Sequence, residues 1–595
     1  MKNKTPTNAL KTTSTATKVE GFFKRLDAKR EKIPTCLDRI VAAPVHRFDP
    51  LAAEVAAVKW SMKLNGRGAY LRPVQGAALE AISIHKTLLG LIGVGAGKTA
   101  ICLMAGQAAG AKRPLVLAPP ALVAQMKEDL VWWSDRFDFI APRLVSYGKL
   151  SVVSGANILE DFKPDLVIAD EAHYLKRASS ARTKRFLRFF FENPTVGFIG
   201  VSGSLTSSSL NDYSHLLSLT LRERAPIPLS RHELAQWAAC IDAKGEPVKE
   251  DWSKMWGLVE WHNAQENGPS GFFADPAVFS HEAKKKAARA AFKERLLTTA
   301  GVVHTSNFSC DASLHIELHD LHPSERVTKA LKELEDTWRR PDGEELIDAS
   351  QKATVAKNLS VGFFYRWAWP FGRPDYEWLE ARAEWNKEVR RVLTYQSRVG
   401  LDSPKLVEEY ASSGKGSKAL QRAWAAWRLQ KHKPQPPKDA VWLTDRVVKW
   451  AVRWLRRQSQ SSVLWYSSHA MGEALARQGV QVFGAGSKTP SGRLVAASIR
   501  VHGTGKNLQE YANAMVIEPP VGGGGGYEQL LGRHHRQGQT EDLVTFGVLC
   551  HTDPFKKAFE NANIEAKYIE ETTGVKQRLN AAVTLNAKGG RGLKE

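Results

Sequence analysis

The segment Gly93-Val94-Gly95-Ala96-Gly97-Lys98-Thr99 follows directly on the apolar run Leu88–Ile92. An apolar run, a glycine-rich turn and a helix former, in that order, describe a buried strand that passes into a helix through a loop of nearly bare backbone. Few folds accept that passage. Glycines let backbone N–H groups turn inward, and the helix starting at Lys98 aims its positive end into the loop. The ligand that fits such a loop is a polyphosphate, with ATP the expected one. Gly93, Gly95 and Gly97 would shape the loop, Lys98 would reach the β- and γ-phosphates, and the Thr99 hydroxyl would hold Mg²⁺. Ile92 stands where the strict form of the pattern has its first glycine.

A second feature lies downstream. Asp170-Glu171-Ala172-His173 follows the apolar run Leu166–Ala169. An acidic pair at the carboxyl end of a buried parallel strand is where α/β folds place their ligands. Asp170 is the expected second Mg²⁺ residue. Glu171 is the expected group that orients and deprotonates an attacking water.

Short apolar runs alternate with helical stretches around both features, at Pro114–Ala118, Leu166–Ala169 and Val196–Val201. The alternation resumes at Val463–Tyr466, Val480–Phe483, Ala514–Ile517 and Val544–Leu549. This predicts an α/β chain with two lobes, each a mostly parallel sheet between helices. The predicted organisation is a basic, partly disordered segment at 1–50, a first lobe at 51–225, a largely helical insertion at 226–440, a second lobe at 441–575 and a basic tail at 576–595.

The chain has 595 residues, and its 84 Lys and Arg outnumber its 62 Asp and Glu for a net charge of +22. Such an excess favours a polyanionic partner, nucleic acid before an anionic membrane surface. No apolar stretch approaches the roughly 20 residues of a membrane span. The five cysteines include no CxxC pair. That argues against a zinc ribbon or a disulfide framework and fits a reducing compartment: cytoplasmic, or nuclear in a nucleated host.

With these motifs the chain resembles DEAH-type superfamily 2 helicases, and among them the Swi/Snf-like ATP-dependent DNA translocases. The likeness covers 71–220 and 440–550. Leu71–Gln75 is similar to the family's adenine-reading segment, which makes Gln75 a base contact. Leu117–Gln125 resembles its strand-to-helix nucleic-acid motif, and Asp170–Lys176 its DEAHxLK. Ser202-Gly203-Ser204 stands where the family has Thr-Gly-Thr, followed by Leu205 in place of proline. Gly503–Leu508 resembles GxGxNL, and Gln529–Gln539 fits QxxxRxxRxGQ at every fixed position. The resemblance implies two RecA-like lobes with ATP and Mg²⁺ between them, and Gln529 among the nucleotide contacts. It also implies DNA, ahead of RNA, as the partner, in replication, recombination or repair. The compact motor further resembles helicases carried by bacterial viruses.

The closing motif has its own physical logic. Charge builds on the γ-phosphoryl oxygens in the transition state, and a guanidinium from the opposite lobe would neutralise it. Arg533 and Arg536, three apart, share one helix face. Arg536 is the expected finger and Arg533 its phosphate-binding companion. Most of the 18 tryptophans read as helix packing rather than base-stacking platforms. His534 and His535 read equally as nucleotide contacts or as filler. The run Gly522–Gly526 reads as a flexible loop, or as a pivot for the closing helix. Three other readings stay open: a strand-separating RNA or DNA helicase, a non-motor nucleic-acid-binding protein switched by ATP, and a small-molecule kinase.

Overall fold

Strands β1 (Leu88–Leu91), β2 (Pro114–Ala118), β3 (Arg143–Ser146), β4 (Leu166–Asp170), β5 (Gly197–Ser202) and β6 (Val302–His304) pair into one sheet in the order β3-β2-β4-β5-β1-β6. Every pairing in it is parallel. The computed structural model describes residues 36–587 apart from 179, 207, 244–247, 268–277, 309, 347, 370–371 and 396–400. Alternate residues of the strands feed two cores. Leu89, Leu91, Leu117, Val167 and Ala169 face one, while Leu88, Val116, Leu166, Ile168 and Ile199 face the other. Burial on both faces is what continuous apolar runs specify in a parallel sheet.

The second sheet begins with β7 (Ser313–His319). A separate antiparallel pair, β8 (Phe363–Trp367) with β9 (Lys438–Trp442), follows. Then come β10 (Ser462–Tyr466), β11 (Gln481–Phe483), β12 (Leu494–Ser498), β13 (Asn513–Val516), β14 (Leu543–Leu549) and β15 (Val583–Asn586). The sheet runs β11-β12-β10-β13-β14-β7-β15, again all parallel. Val463 and Trp465 face one core, Leu464 and Tyr466 the other. The chain is therefore a two-lobed α/β protein. Among the described residues no helix is long and apolar enough to cross a membrane.

The helical insertion expected between the lobes is not one block. Helices Arg231–Ile241, Trp252–Asn267 and His281–Leu297 pack into the first lobe's core through Trp237, Leu258 and Phe292, and β6 then joins β1. β7 already belongs to the second sheet, more than a hundred residues before the expected boundary at 441. Helical apolar spacing reads alike in an insertion and in a lobe, and a three-residue strand such as β6 is too short to leave a pattern. The other boundaries move as well. Helix Cys36–Ala42 buries Ile40 in the first core, and the expected C-terminal tail contributes β15; residues 1–35 and 588–595 lie outside the described residues.

Three helices, Tyr376–Tyr395, Pro404–Ser412 and Lys418–Gln430, stand between β8 and β9 and share a core of their own. Trp385 and Trp424 are buried there, ring centroids 5.3 Å apart, as the packing reading expected. This unit reaches the first lobe through a buried ion pair. Arg185 donates through Nε and Nη2 to Asp402 at 3.0 and 2.7 Å, and through Nη1 to the carbonyls of Leu150 and Val152. Removing one partner of a buried pair strands the other charge, at a cost of about 3–5 kcal/mol. Asp402→Ala should lower the urea midpoint accordingly and expose the three helices to protease; an unchanged midpoint would show that the carbonyls alone satisfy Arg185.

Candidate functional site

The phosphate loop bends at Gly95 (φ +90°) and Gly97 (φ +85°), conformations that suit glycine, and helix Lys98–Ala109 starts at once. Lys98 leaves the loop buried, its Nζ 2.8 Å from Glu171 Oε1. Glu171 itself lies in the left-handed region at φ +54°. In an extended strand successive side chains point to opposite faces. The left-handed turn at the end of β4 brings both Asp170 and Glu171 to the wall of one cavity instead. A non-glycine residue held there costs on the order of 1–3 kcal/mol.

Glu171 is bound from three sides. Besides Lys98, His173 Nδ1 lies 3.2 Å from Oε2, and Ser202 Oγ donates to Oε2 at 3.4 Å. Burial alone would raise the Glu171 carboxyl, but Lys98 and His173 outweigh it and hold it below the ordinary range. Asp170 goes the other way: burial pushes it up, and the charge of Glu171 adds to the rise. The two acids are thus driven apart by their surroundings. Ser202 also accepts from the Ser204 amide at 3.2 Å, which ties the Ser-Gly-Ser turn to the acid. Leu205, in the family's proline position, is buried in the first core.

The second lobe supplies helix Gly523–His534. Gly523–Gly526 form its first turn and Gly522 its N-cap, so the run is not the flexible loop expected of it. Cβ atoms are absent there because neighbours occupy their space. Glu565 lies against Gly523, the Ala562 carbonyl would sit 2.7 Å from a Cβ on Gly524, and Ser204 Oγ 3.6 Å from one on Gly525. Glu565 also accepts from the Gly524 amide at 2.9 Å, so a carboxylate caps the helix's positive end. Further along, Gly532 rests on Val94 of the phosphate loop, whose Cγ1 is 2.8 Å from the Cβ position.

Arg533, in the last turn of this helix, and Arg536, beyond its end at His534, both line the cleft; they do not share a helix face as their spacing predicted, because the helix stops between them. Arg533 donates to Gln529 O at 3.1 Å, Gln529 Oε1 at 3.0 Å and Lys506 O at 3.1 Å. Arg536 donates to Asn507 Oδ1. The Gly503–Leu508 segment therefore buttresses both guanidiniums. Burial, then the charge of Arg536, pushes Arg533 down to about 10. Arg536 is lowered by burial and by Arg578 and Arg72. His534 is fully buried between Trp465 Nε1, at 3.1 Å, and the Tyr511 carbonyl, at 2.8 Å. His535 bonds the Ala312 carbonyl at 2.7 Å. Both histidines are structural.

One cavity is lined by Gly95, Gly97, Lys98, Thr99, Asp170 and Glu171 from the first lobe and by Gln529, Arg533 and Arg536 from the second. Two expected residues stand behind its wall. Gln75 is buried, its Oε1 accepting from Arg72 N at 2.8 Å and its Nε2 donating to Gly97 O at 3.1 Å, so it shapes the loop. Gly93 N is engaged by Thr305 Oγ1 at 2.9 Å. Leu122 and Gln125, from the segment likened to a nucleic-acid motif, line the same cavity beside Gly505. Gln529 Nε2 is buried without a hydrogen-bond partner in the protein, an N–H donor that suits a ligand acceptor. Thr99 and Asp170 offer hydroxyl and carboxylate oxygens, a hard donor set that fits Mg²⁺ alongside phosphate.

Arg578 escaped the sequence reading, which placed it in a tail. It is buried and joins three elements. Its amide and Nη1 donate to Glu528, its Nε and Nη2 to His535 O at 3.1 and 3.0 Å, and its Nη2 to Val94 O at 3.4 Å. Arg72 makes a similar link from the other side, with Nη1 3.2 Å from Gly95 O and Nη2 2.6 Å from Gln537 Oε1. No spacing signal marks Arg578; only a polar, basic C-terminus was visible. Arg578→Ala leaves Glu528 buried and unpaired, so the unfolding free energy should fall by about 3–5 kcal/mol. Urea denaturation checks this, and a loss under 1 kcal/mol, the range of an exposed pair, would mean Glu528 is reached by water.

No protein-family model matches this chain, and no curated protein matches it, so the arrangement of these side chains carries the functional reading.

Proposed function

We propose that the chain is an ATP-hydrolysing motor that moves along nucleic acid, with duplex DNA as its track. The observation that carries this reading is the single cavity shared by the Lys98–Glu171 pair of one lobe and Arg533 and Arg536 of the other. A static phosphate site needs no acid bound to its lysine and no arginine from a second lobe.

In this reading the triphosphate lies along the amides of 94–99 and takes Lys98 away from Glu171. Freed of Lys98, whose charge had held its carboxyl low, Glu171 becomes the more basic group that accepts a proton from water. Water oxygen bonds to the γ-phosphorus, the bond to the β–γ bridging oxygen breaks, and ADP leaves with both electrons. Mg²⁺ at Thr99 and Asp170 would supply charge neutralisation to the phosphates. Arg536 meets the charge growing on the γ-phosphoryl oxygens, while Arg533, held by Gln529 and Lys506, ties the end of the closing helix to the segment that also holds Arg536. Opening and closing of this cleft moves one lobe against the other. With a net charge of +22, contact with the polymer runs through phosphates and is largely independent of sequence.

Two variants test the chemistry. Glu171→Gln keeps shape but not basicity, so ATP should still bind while turnover falls at least about 10²-fold. Arg536→Ala should cut turnover about 10³-fold or more with little loss of ATP affinity, because its partner charge forms in the transition state. An affinity loss equal to the rate loss would make Arg536 a ground-state ligand. The track is tested by ATP turnover without polymer and with single-stranded DNA, duplex DNA or RNA. Duplex DNA is expected to stimulate at least as well as single strands, and less so as salt rises. Stimulation by RNA alone, or ready unwinding of a blunt duplex, would replace this reading with the helicase one.

A further inference from the structure

Helix Arg446–Arg456 presents Arg446, Lys449, Arg453 and Arg456 on one exposed face, and Arg457 continues the row at its end. The opposite face buries Val447, Val448, Ala451, Val452 and Leu455 in the second lobe's core. At 1.5 Å rise per residue the cations step along the axis by about 5 Å. That is of the order of the phosphate repeat of one strand, roughly 3.4 Å along a duplex axis. Counter-charge is scarce. Asp445 holds Lys449 at 3.0 Å, and among the described residues Arg446, Arg453, Arg456 and Arg457 take part in no ion pair.

The row is also held in place. Arg456 Nη2 donates to Gln478 O at 2.8 Å. Exposed Arg493 adds a further cation at the same end, its Nη1 donating to Gln458 O at 2.9 Å and Ser459 O at 3.2 Å. These bonds use one side of each guanidinium. The helix precedes β10 and runs back along its sheet, so Arg453, Arg456 and Arg457 lie towards the amino ends of the strands. None of these cations lines the cavity, to which the second lobe gives Thr504, Gly505, Asn507, Gln529, Arg533 and Arg536, so the two surfaces are separate.

We propose that this ridge is a second binding site, taking the phosphate backbone of a double-stranded nucleic acid on the outer face of the second lobe. A bilayer is a poorer fit. Trp450 and Trp454, between the cations, pack against the core, with Trp450 edge-on to His319, so no large apolar side chain stands free to insert. The ridge goes beyond the hydrolytic reading and does not rest on it.

The test is fluorescence anisotropy of a short labelled duplex DNA with the full chain over a salt series. The variant Arg453→Gln/Arg456→Gln/Arg457→Gln should bind about 10-fold more weakly or worse near 0.1 M salt. Its log–log salt slope should fall by about 2 to 3, one counterion release of roughly 0.9 per lost contact. Its melting midpoint and its polymer-free ATP turnover should match the parent. Arg446→Gln/Lys449→Gln should show the same effect to a smaller degree, and serves if the triple variant folds poorly. An equal loss with duplex RNA would support a backbone site. Unchanged affinity and slope in both variants, no binding of duplex by the parent chain, or a loss confined to phosphatidylserine vesicles would overturn it. Failure of polymer to stimulate turnover would sink the motor reading and leave the ridge standing.

Discussion

The ion pair between Lys98 and Glu171 depends on the backbone beneath it. Lys98 is fixed by a loop that two positive-φ glycines bend, and Glu171 by a left-handed turn that no side chain favours. Strain of that kind persists only when the surroundings over-determine it. Here they do: Tyr147 Oη donates to the Asp170 carbonyl at 2.8 Å just before the turn, and Ser202 and His173 hold the carboxylate just after it. Because Ser202 ends β5, which lies between β4 and β1 in the sheet, any shift of that strand reaches the acid and the phosphate loop together.

Glycines let the lobes come close at several points. Gly532 lets the closing helix touch Val94, Gly525 lets it approach Ser204, and Gly505 accommodates Leu122. A side chain at Gly505 or Gly532 would press on Leu122 or Val94 and push the lobes apart there, whereas one at Gly525 would meet Ser204 in ordinary contact. The closing helix is gripped from behind by helix Asp553–Thr573, whose backbone at Ala562 and Ala566 lies directly against Gly524. That second helix also reaches the first lobe, where Arg289 pairs with Glu571 at 2.8 Å and Tyr568 Oη bonds Asp242 at 3.0 Å. The glycine run thus serves close packing. Five consecutive glycines read as a loop when taken alone, because nothing local reveals the helix that will lie against them.

What was legible in the sequence is what local chemistry dictates. Runs such as Leu166–Ala169 have one good use, a strand covered on both faces, and the residues at the carboxyl ends of such strands met in one cavity. Residues whose role is set by a distant partner were illegible. Arg578 works through Val94 and Glu528, Asp402 through Arg185, and neither pair is marked by spacing. Gln75 and Gly93 were placed correctly near the loop, yet their polar groups turn to Gly97 and Thr305 instead of the cavity. A motif fixes where a residue sits along the chain. It does not fix which of several acceptors within reach its side chain takes.

Around the loop after β1, Arg72, Arg533, Arg536 and Arg578 crowd together with Lys98, and Arg533 and Arg536 are lowered by burial first and by neighbouring arginine charges second. Among the described residues only Glu528 and Glu171 answer them with direct ion pairs. The remaining positive charge is carried by carbonyls at Gly95, Lys506, Gln529 and His535, which accept the guanidinium hydrogens without cancelling their charge. Dipoles satisfy geometry but leave a field, and in a poorly solvated cleft that field is strong. An incoming anion therefore relieves repulsion between the lobes as well as filling the loop, which couples its binding to their approach.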